Sequence, residues 1–210
     1  MENKLTLYGF DGSTYVRTVR MLLAAKLADY EQVPLNVLTG EPKQPSHLTR
    51  HPFGKVPVLE HGDFRLLETS AITSYLDEIL PGQQFTPHIA QERARMRMAM
   101  GIFDSYGYGA LLGVAGYRLF PDFLGNPSEA NHQSAIAESR KVLTFLLSIA
   151  PGARFLVGET ISIADLYLAP ACAYVAMTTD QAEVFAVDGF AEWWSLVQAL
   201  PIFTTTAPSF

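Results

Sequence analysis

A proline at the mouth of a buried strand is the feature that most restricts how this chain can fold. Val56-Pro57-Val58-Leu59 reads as the start of such a strand, within the longer run from His51-Pro52-Phe53-Gly54-Lys55 to Glu60. Proline has no backbone N–H to give to a ladder, so it sits at a first position, an edge or a bulge. A cis Val56–Pro57 bond is the expected solution, because it turns the chain and leaves the Val56 backbone open to a ligand. Downstream, Glu68-Thr69 precedes a helical pattern with Ala71, Ile72, Tyr75, Leu76 and Ile79 on one face. A hydroxyl and unpaired N–H groups at a helix start make an anion site. The two stretches describe a backbone-reading slot beside a carboxylate-binding helix end. On spacing alone they describe equally well a hairpin and a capped helix that bind nothing.

The elements around this stretch come in a definite order. Leu5 to Tyr8 alternates as a short strand, and Asp11-Gly12-Ser13 supplies a turn. A helix follows, with Val16, Val19, Leu23 and Leu27 forming its buried stripe. Val33 to Val37 reads as a second strand and Thr39 to His51 as a polar, proline-punctuated loop. Val56 to Glu60 and Phe64 to Leu67 form a hairpin, and the Thr69 to Ile79 helix closes the set. The order β-α-β, loop, β-β-α is that of a thioredoxin-like α/β domain with a mixed four-stranded sheet, over residues 1–80.

Residues 81–87, beginning Pro81-Gly82, read as a linker, and from there the strand signal disappears. Residues 88–210 are expected to form an all-α domain. Its first helix runs from His88 to about Phe120, with Met96, Met100, Phe103 and Gly107 on one face. Gly107, Gly109, Gly113 and Gly116 weaken it and predict a bend, or else serve close packing between helices. Asn126-Pro127-Ser128-Glu129 starts the next helix, with Asn126 as cap and Pro127 at the first position. Ser162-Ile163-Ala164-Asp165 forms a capping box for a core helix running to about Met177, which gives the Asp165 carboxylate a structural use. The last clear helix, Phe190 to Leu200, is expected to end at Pro201.

Composition excludes several functions. The formal net charge is −6 and no long Lys/Arg run occurs, so no nucleic-acid partner is expected. There is no apolar leader in MENKLTLYGF and no apolar run long enough for a membrane span, so a cytoplasmic protein without a membrane partner is expected. Cys172 is the single cysteine, which rules out an intrachain disulfide and a C-x-x-C redox pair. His47, His51, His61, His88 and His132 lack metal-ligand spacing, so no metal is expected. The glycine-rich segment lacks G-K-[ST] and is not a phosphate loop.

The run N-P-F-G-x-V-P-x-L followed by E-S-x-A-I-x-x-Y-L resembles the glutathione-binding half of cytosolic glutathione transferases. It stands here as His51 to Leu59 and Glu68 to Leu76, with His51 for the usual Asn and Thr69 for the usual Ser. The G-x-x-x-S-x-A-D run ending at Asp165 is similar to the capped core helix of the same family, so the resemblance reaches both domains. It implies a bacterial, Ser-type (phi- or theta-like) member. Glutathione is then the co-substrate, a small hydrophobic electrophile its partner, and the assembly a homodimer. Implied glutathione contacts are Lys43 and Lys55 at the glycyl carboxylate, Val56 before Pro57 at the cysteinyl unit, and Glu68 and Thr69 at the γ-glutamyl end. Ser13 is the implied activator of the thiol, although it fits a plain helix cap equally well; Tyr8, Thr14 and Tyr15 compete with it. Phe10, Phe103 and Tyr106, with Leu111 and Tyr167 behind them, would line the electrophile site. Asp11-Gly12 and Pro42 depart from the family pattern, and a carboxylate at Asp11 opposes thiolate formation unless it turns away or pairs with Arg17. A glutathione-dependent isomerase, dehalogenase or peroxidase shares the same resemblance, as does a non-catalytic binding protein of this fold.

Overall fold

The computed structural model describes residues 4–208, which divide into two compact units, 4–84 with 201–208, and 85–200. The first unit is built on β1 (Leu5–Tyr8), α1 (Thr14–Ala25), β2 (Glu31–Val33), α2 (Pro45–Leu48), β3 (Val58–His61), β4 (Phe64–Leu67) and α3 (Thr69–Ile79). The sheet order is β2-β1-β3-β4, with β1 and β2 parallel and the other pairs antiparallel. Parallel neighbours need a crossover, and α1 provides it. One face of the sheet sends Leu5, Leu7 and Leu59 into a core completed by Val16, Val19 and Leu23 of α1 and Ile72 and Leu76 of α3. This is the thioredoxin-like arrangement that the element order predicts, and the Val56–Pro57 bond is cis.

Three expectations are corrected here. The second strand lies at Glu31–Val33, not Val33 to Val37, because Pro34 cannot extend a ladder. Leu27 does not join the buried stripe: α1 stops at Ala25, Leu27 takes a φ of 52°, and its side chain is 91% exposed. Lys26 is buried in its place, its Nζ 2.9 Å from Asp77 Oδ1 and donating to the Asp77 carbonyl, which ties the end of α1 to α3. Pro201 does more than end a helix. It opens a short one, Pro201–Thr205, since a helix's first turn does not use the missing N–H. Arg17 donates to the Phe203 carbonyl at 2.7 Å with its guanidinium over the Phe203 ring, so residues 201–208 belong to the first unit and not to the helical one.

The second unit holds α4 (Ala90–Ile102), a π-helical turn (Phe103–Gly107), α5 (Tyr108–Leu119), α6 (Glu129–Ser148), α7 (Ile163–Val175), α8 (Gln181–Val184) and α9 (Phe190–Gln198). The expected break in the long helix is the π turn. Two of the glycines beyond it serve packing, since a Cβ on Gly113 would stand 3.1 Å from Ala135 Cβ and one on Gly116 would meet Leu124 Cδ1 at 2.4 Å, whereas one on Gly109 would meet nothing within 4 Å. Helix α6 begins two residues later than its sequence signal, with Ser128 and Asn131 exchanging the capping bonds, while Asn126 turns with a φ of 52°. Helix α7 is buried almost throughout, and among the described residues none of the helices is long and apolar enough to cross a membrane.

Asp165 holds this unit together. Its carboxylate accepts from Ser162 N at 2.8 Å, Ser162 Oγ at 2.9 Å, Leu156 N at 3.0 Å and Trp193 Nε1 at 2.9 Å. Burial pushes its pKa up while these bonds pull it back. Asp165→Ala strands four buried donors, so we expect a loss of roughly 3 kcal/mol or more in denaturant unfolding. Asp165→Asn, which keeps an acceptor, should lose less; equal losses would show that packing and not hydrogen bonding carries the effect.

Candidate active site

The sheet register gathers the sequence candidates of the first unit at one end. Tyr8, the last residue of β1, pairs with Val58, and Val58 pairs with Leu67. The chain leaving β1, the chain entering β3 and the start of α3 are therefore neighbours. Val56 lies just outside the ladder, half-buried, and neither its N–H nor its carbonyl is hydrogen-bonded among the described residues. Across from it, Glu68 adopts a φ of 67°, a region that non-glycine residues rarely enter and that is often found at ligand sites. Thr69, the first residue of α3, is buried. Lys43, in a 3-10 turn at Glu41–Lys43, and Lys55 are exposed, with no ion pair among the described residues.

Ser13 caps α1, its Oγ accepting from Val16 N at 3.4 Å. That bond leaves the hydroxyl proton free to donate outward. The first turn of α1 carries no acidic residue, so its positive end is not neutralised from within. Asp11 does not pair with Arg17, which is engaged with Phe203. It accepts from Gln32 Nε2 at 2.7 Å and lies 3.3 Å from Arg20 Nη1, so its charge is held elsewhere. Tyr8 is committed: its hydroxyl donates to Glu60 at 2.9 Å, and burial followed by that carboxylate raises its pKa. Burial would raise Glu60, but Tyr8 and Arg65 hold it below the usual carboxylate range. Thr14 is buried, with its hydroxyl unpartnered, and Tyr15 is half-buried.

The apolar candidates separate. Phe10 is half-buried in the first unit. In the helical unit Tyr106, on the π turn, is 67% exposed, whereas Phe103 is 1% exposed and packs edge-on against Tyr108 and Tyr167. Phe103 is therefore a core residue and not a wall facing a ligand, and the same burial removes Leu111 and Tyr167. The residues that sequence reasoning did not place in the site are His47, weighed there only as a metal ligand, and His51, given there a place in the motif but no role. Both are buried under the Lys55 loop, with rings 6.3 Å apart. The one available signal was His51 standing where the motif has Asn.

The first unit thus brings together at one sheet end an unpaired backbone segment at Val56, the start of α3 and a hydroxyl at the cap of α1. Residues 3–78 match the N-terminal domain model of glutathione S-transferases and residues 109–201 match the C-terminal one, so the chain belongs to this family. It is 31% identical to glutathione S-transferase Z1 of Arabidopsis thaliana over 208 residues, 99% of this chain and 93% of that one. Glutathione S-transferase 1 of Dianthus caryophyllus is 32% identical over 170 residues, 80% of this chain and 75% of that protein. Among solved structures, glutathione transferase F7 from Populus trichocarpa superposes with a TM-score of 0.86 at 28% identity, covering 97% of each chain. Glutathione S-transferase-I bound with lactoylglutathione gives 0.82 at 27% identity, over 97% of this chain and 98% of that one.

His51 makes the site's stability depend on pH. Burial lowers its pKa, Glu68 raises it, and His47 and Lys55 lower it further. Its Nδ1 accepts from Phe53 N at 3.3 Å, an interaction that requires the unprotonated nitrogen. The folded protein thus takes up this proton less readily than the unfolded chain, whose histidine titrates near about 6.5. Stability is full above that value and falls as pH drops below it. Urea unfolding at pH 7.5 and 5.5 should show a smaller drop for His51→Asn than for wild type; equal drops would remove His51 from the effect.

Proposed function

We propose that the first unit binds glutathione and that the protein joins its sulfur to a small hydrophobic electrophile. The observation that carries this reading is the Val56 backbone, left unpaired beside the start of α3. An extended peptide unit adds to such an edge with one N–H···O bond in each direction. The Thr69 hydroxyl and the N–H groups of the first turn of α3 then donate to the γ-glutamyl carboxylate, and Glu68 accepts from its ammonium. Lys43 and Lys55 supply charge for the glycyl carboxylate.

A free thiol has a pKa of about 8.5, so only a minor fraction is thiolate at neutral pH. Ser13 is our candidate activator. Its free proton donates to the sulfur, its own oxygen is held by Val16 N–H, and the N-terminal end of α1 adds favourable potential. With an aryl halide the thiolate attacks the ring carbon, a C–S bond forms and halide departs. Phe10, half-buried in the first unit, is proposed to contact the electrophile. A homodimer and a cytoplasmic location are what family membership implies, and both form part of the proposal.

Retention on immobilised glutathione together with turnover of a generic aryl halide tests the reading; retention without turnover would favour a binding protein. The activator is tested by thiolate absorbance of the binary complex against pH. Ser13→Ala should raise the pKa of the bound thiol and cut turnover ~10- to 100-fold, one or two pKa units. Affinity should change little, and Tyr8→Phe should be nearly silent. A Ser13→Ala complex that titrates like wild type would move the role to Thr14, Tyr15 or the backbone amides.

A further inference from the structure

His47 is 1% exposed, and its Nε2 lies 2.7 Å from the carbonyl oxygen of Lys55. A carbonyl only accepts, so Nε2 must carry the hydrogen. Nδ1 is then bare, and it is buried without a partner. The ring therefore makes this one hydrogen bond. The Lys55 carbonyl and the Val56 N–H belong to the same peptide unit, which is planar and trans, since among the described residues only Val56–Pro57 is cis. In a trans unit the C=O and N–H point in opposite directions. Holding one end of the plane thus aims the other.

We infer that His47 is a positioning residue for glutathione, fixing the Lys55–Val56 peptide so that the Val56 N–H faces the ligand. The inference rests on the glutathione-binding reading above. A second contact works in the same sense. A Cβ at Gly54, whose φ is 59°, would meet the Pro42 carbonyl at 2.9 Å and Lys43 Cγ at 3.3 Å, so the Lys55 loop lies directly against the turn that carries Lys43. His47 N–H and His51 N–H complete the join, donating to Gln44 and His47 carbonyls at 2.9 Å. His47 therefore sets Val56 and keeps Lys43 and Lys55, the two cations proposed for the glycyl carboxylate, in one register.

The test compares His47→Leu, which removes the donor, with His47→Gln, whose amide nitrogen reaches about as far as Nε2. Glutathione Kd by titration calorimetry and the KM and kcat for each substrate are measured alongside melting temperature. We expect His47→Leu to raise the glutathione Kd and KM roughly three- to tenfold, the worth of one hydrogen bond, with kcat and the electrophile KM within about twofold of wild type. His47→Gln should recover most of the loss. If His47→Leu does not fold, His47→Asn, whose amide is too short to reach Lys55, carries the same expectation. Wild-type affinity in the Leu or Asn variant overturns the inference alone, as does an equal loss in the Gln variant. A wild-type protein that does not bind glutathione overturns the inference together with the reading beneath it.

Discussion

Proline at position 57 has no N–H to pair, and the candidate site depends on that fact. The β3 ladder begins only at Val58, opposite Tyr8 on one side and Leu67 on the other. Had the ladder continued to residue 56, the Val56 backbone would be spent on a strand neighbour. Stopping it there leaves a peptide edge open at the sheet end where β1 gives way to the Ser13 cap and β4 gives way to α3. The segment at the end of β1 lies more than forty positions before the other two, and the hydrogen-bond register decides that they meet.

Charges around that edge are kept out of each other's way. Asp11, which would oppose a thiolate at the head of α1, is bound by Gln32 and Arg20. Glu60 is occupied by Tyr8 and Arg65. Lys26 and Asp77 neutralise one another at the opposite end of α1, where a lone buried charge would be strongly destabilising. Among the described residues Lys43, Lys55 and Glu68 make no ion pair, which leaves their charges available for the proposed ligand. In the helical unit the same economy is reached through Asp165, a carboxylate with four donors and no group left over for chemistry.

The sequence by itself determined the element order, the unpaired edge at Val56 and the capping box at Ser162 to Asp165. Each of these is a local property: periodicity, proline's missing donor, or cap residues at fixed offsets. What only the tertiary structure decided lies in contacts between distant segments. Lys26, not Leu27, is buried because Asp77 is waiting on α3; Asp11 pairs with Arg20 because Arg17 is taken by residue 203; and residues 201–208 rejoin the first unit through that same arginine. Phe103 enters the core, packed edge-on against Tyr167, while Tyr106 is left outside. His47 acquires a role because Lys55, eight residues on, folds back over it. A side chain's neighbours across the chain are set by packing, and no spacing rule along the sequence contains them.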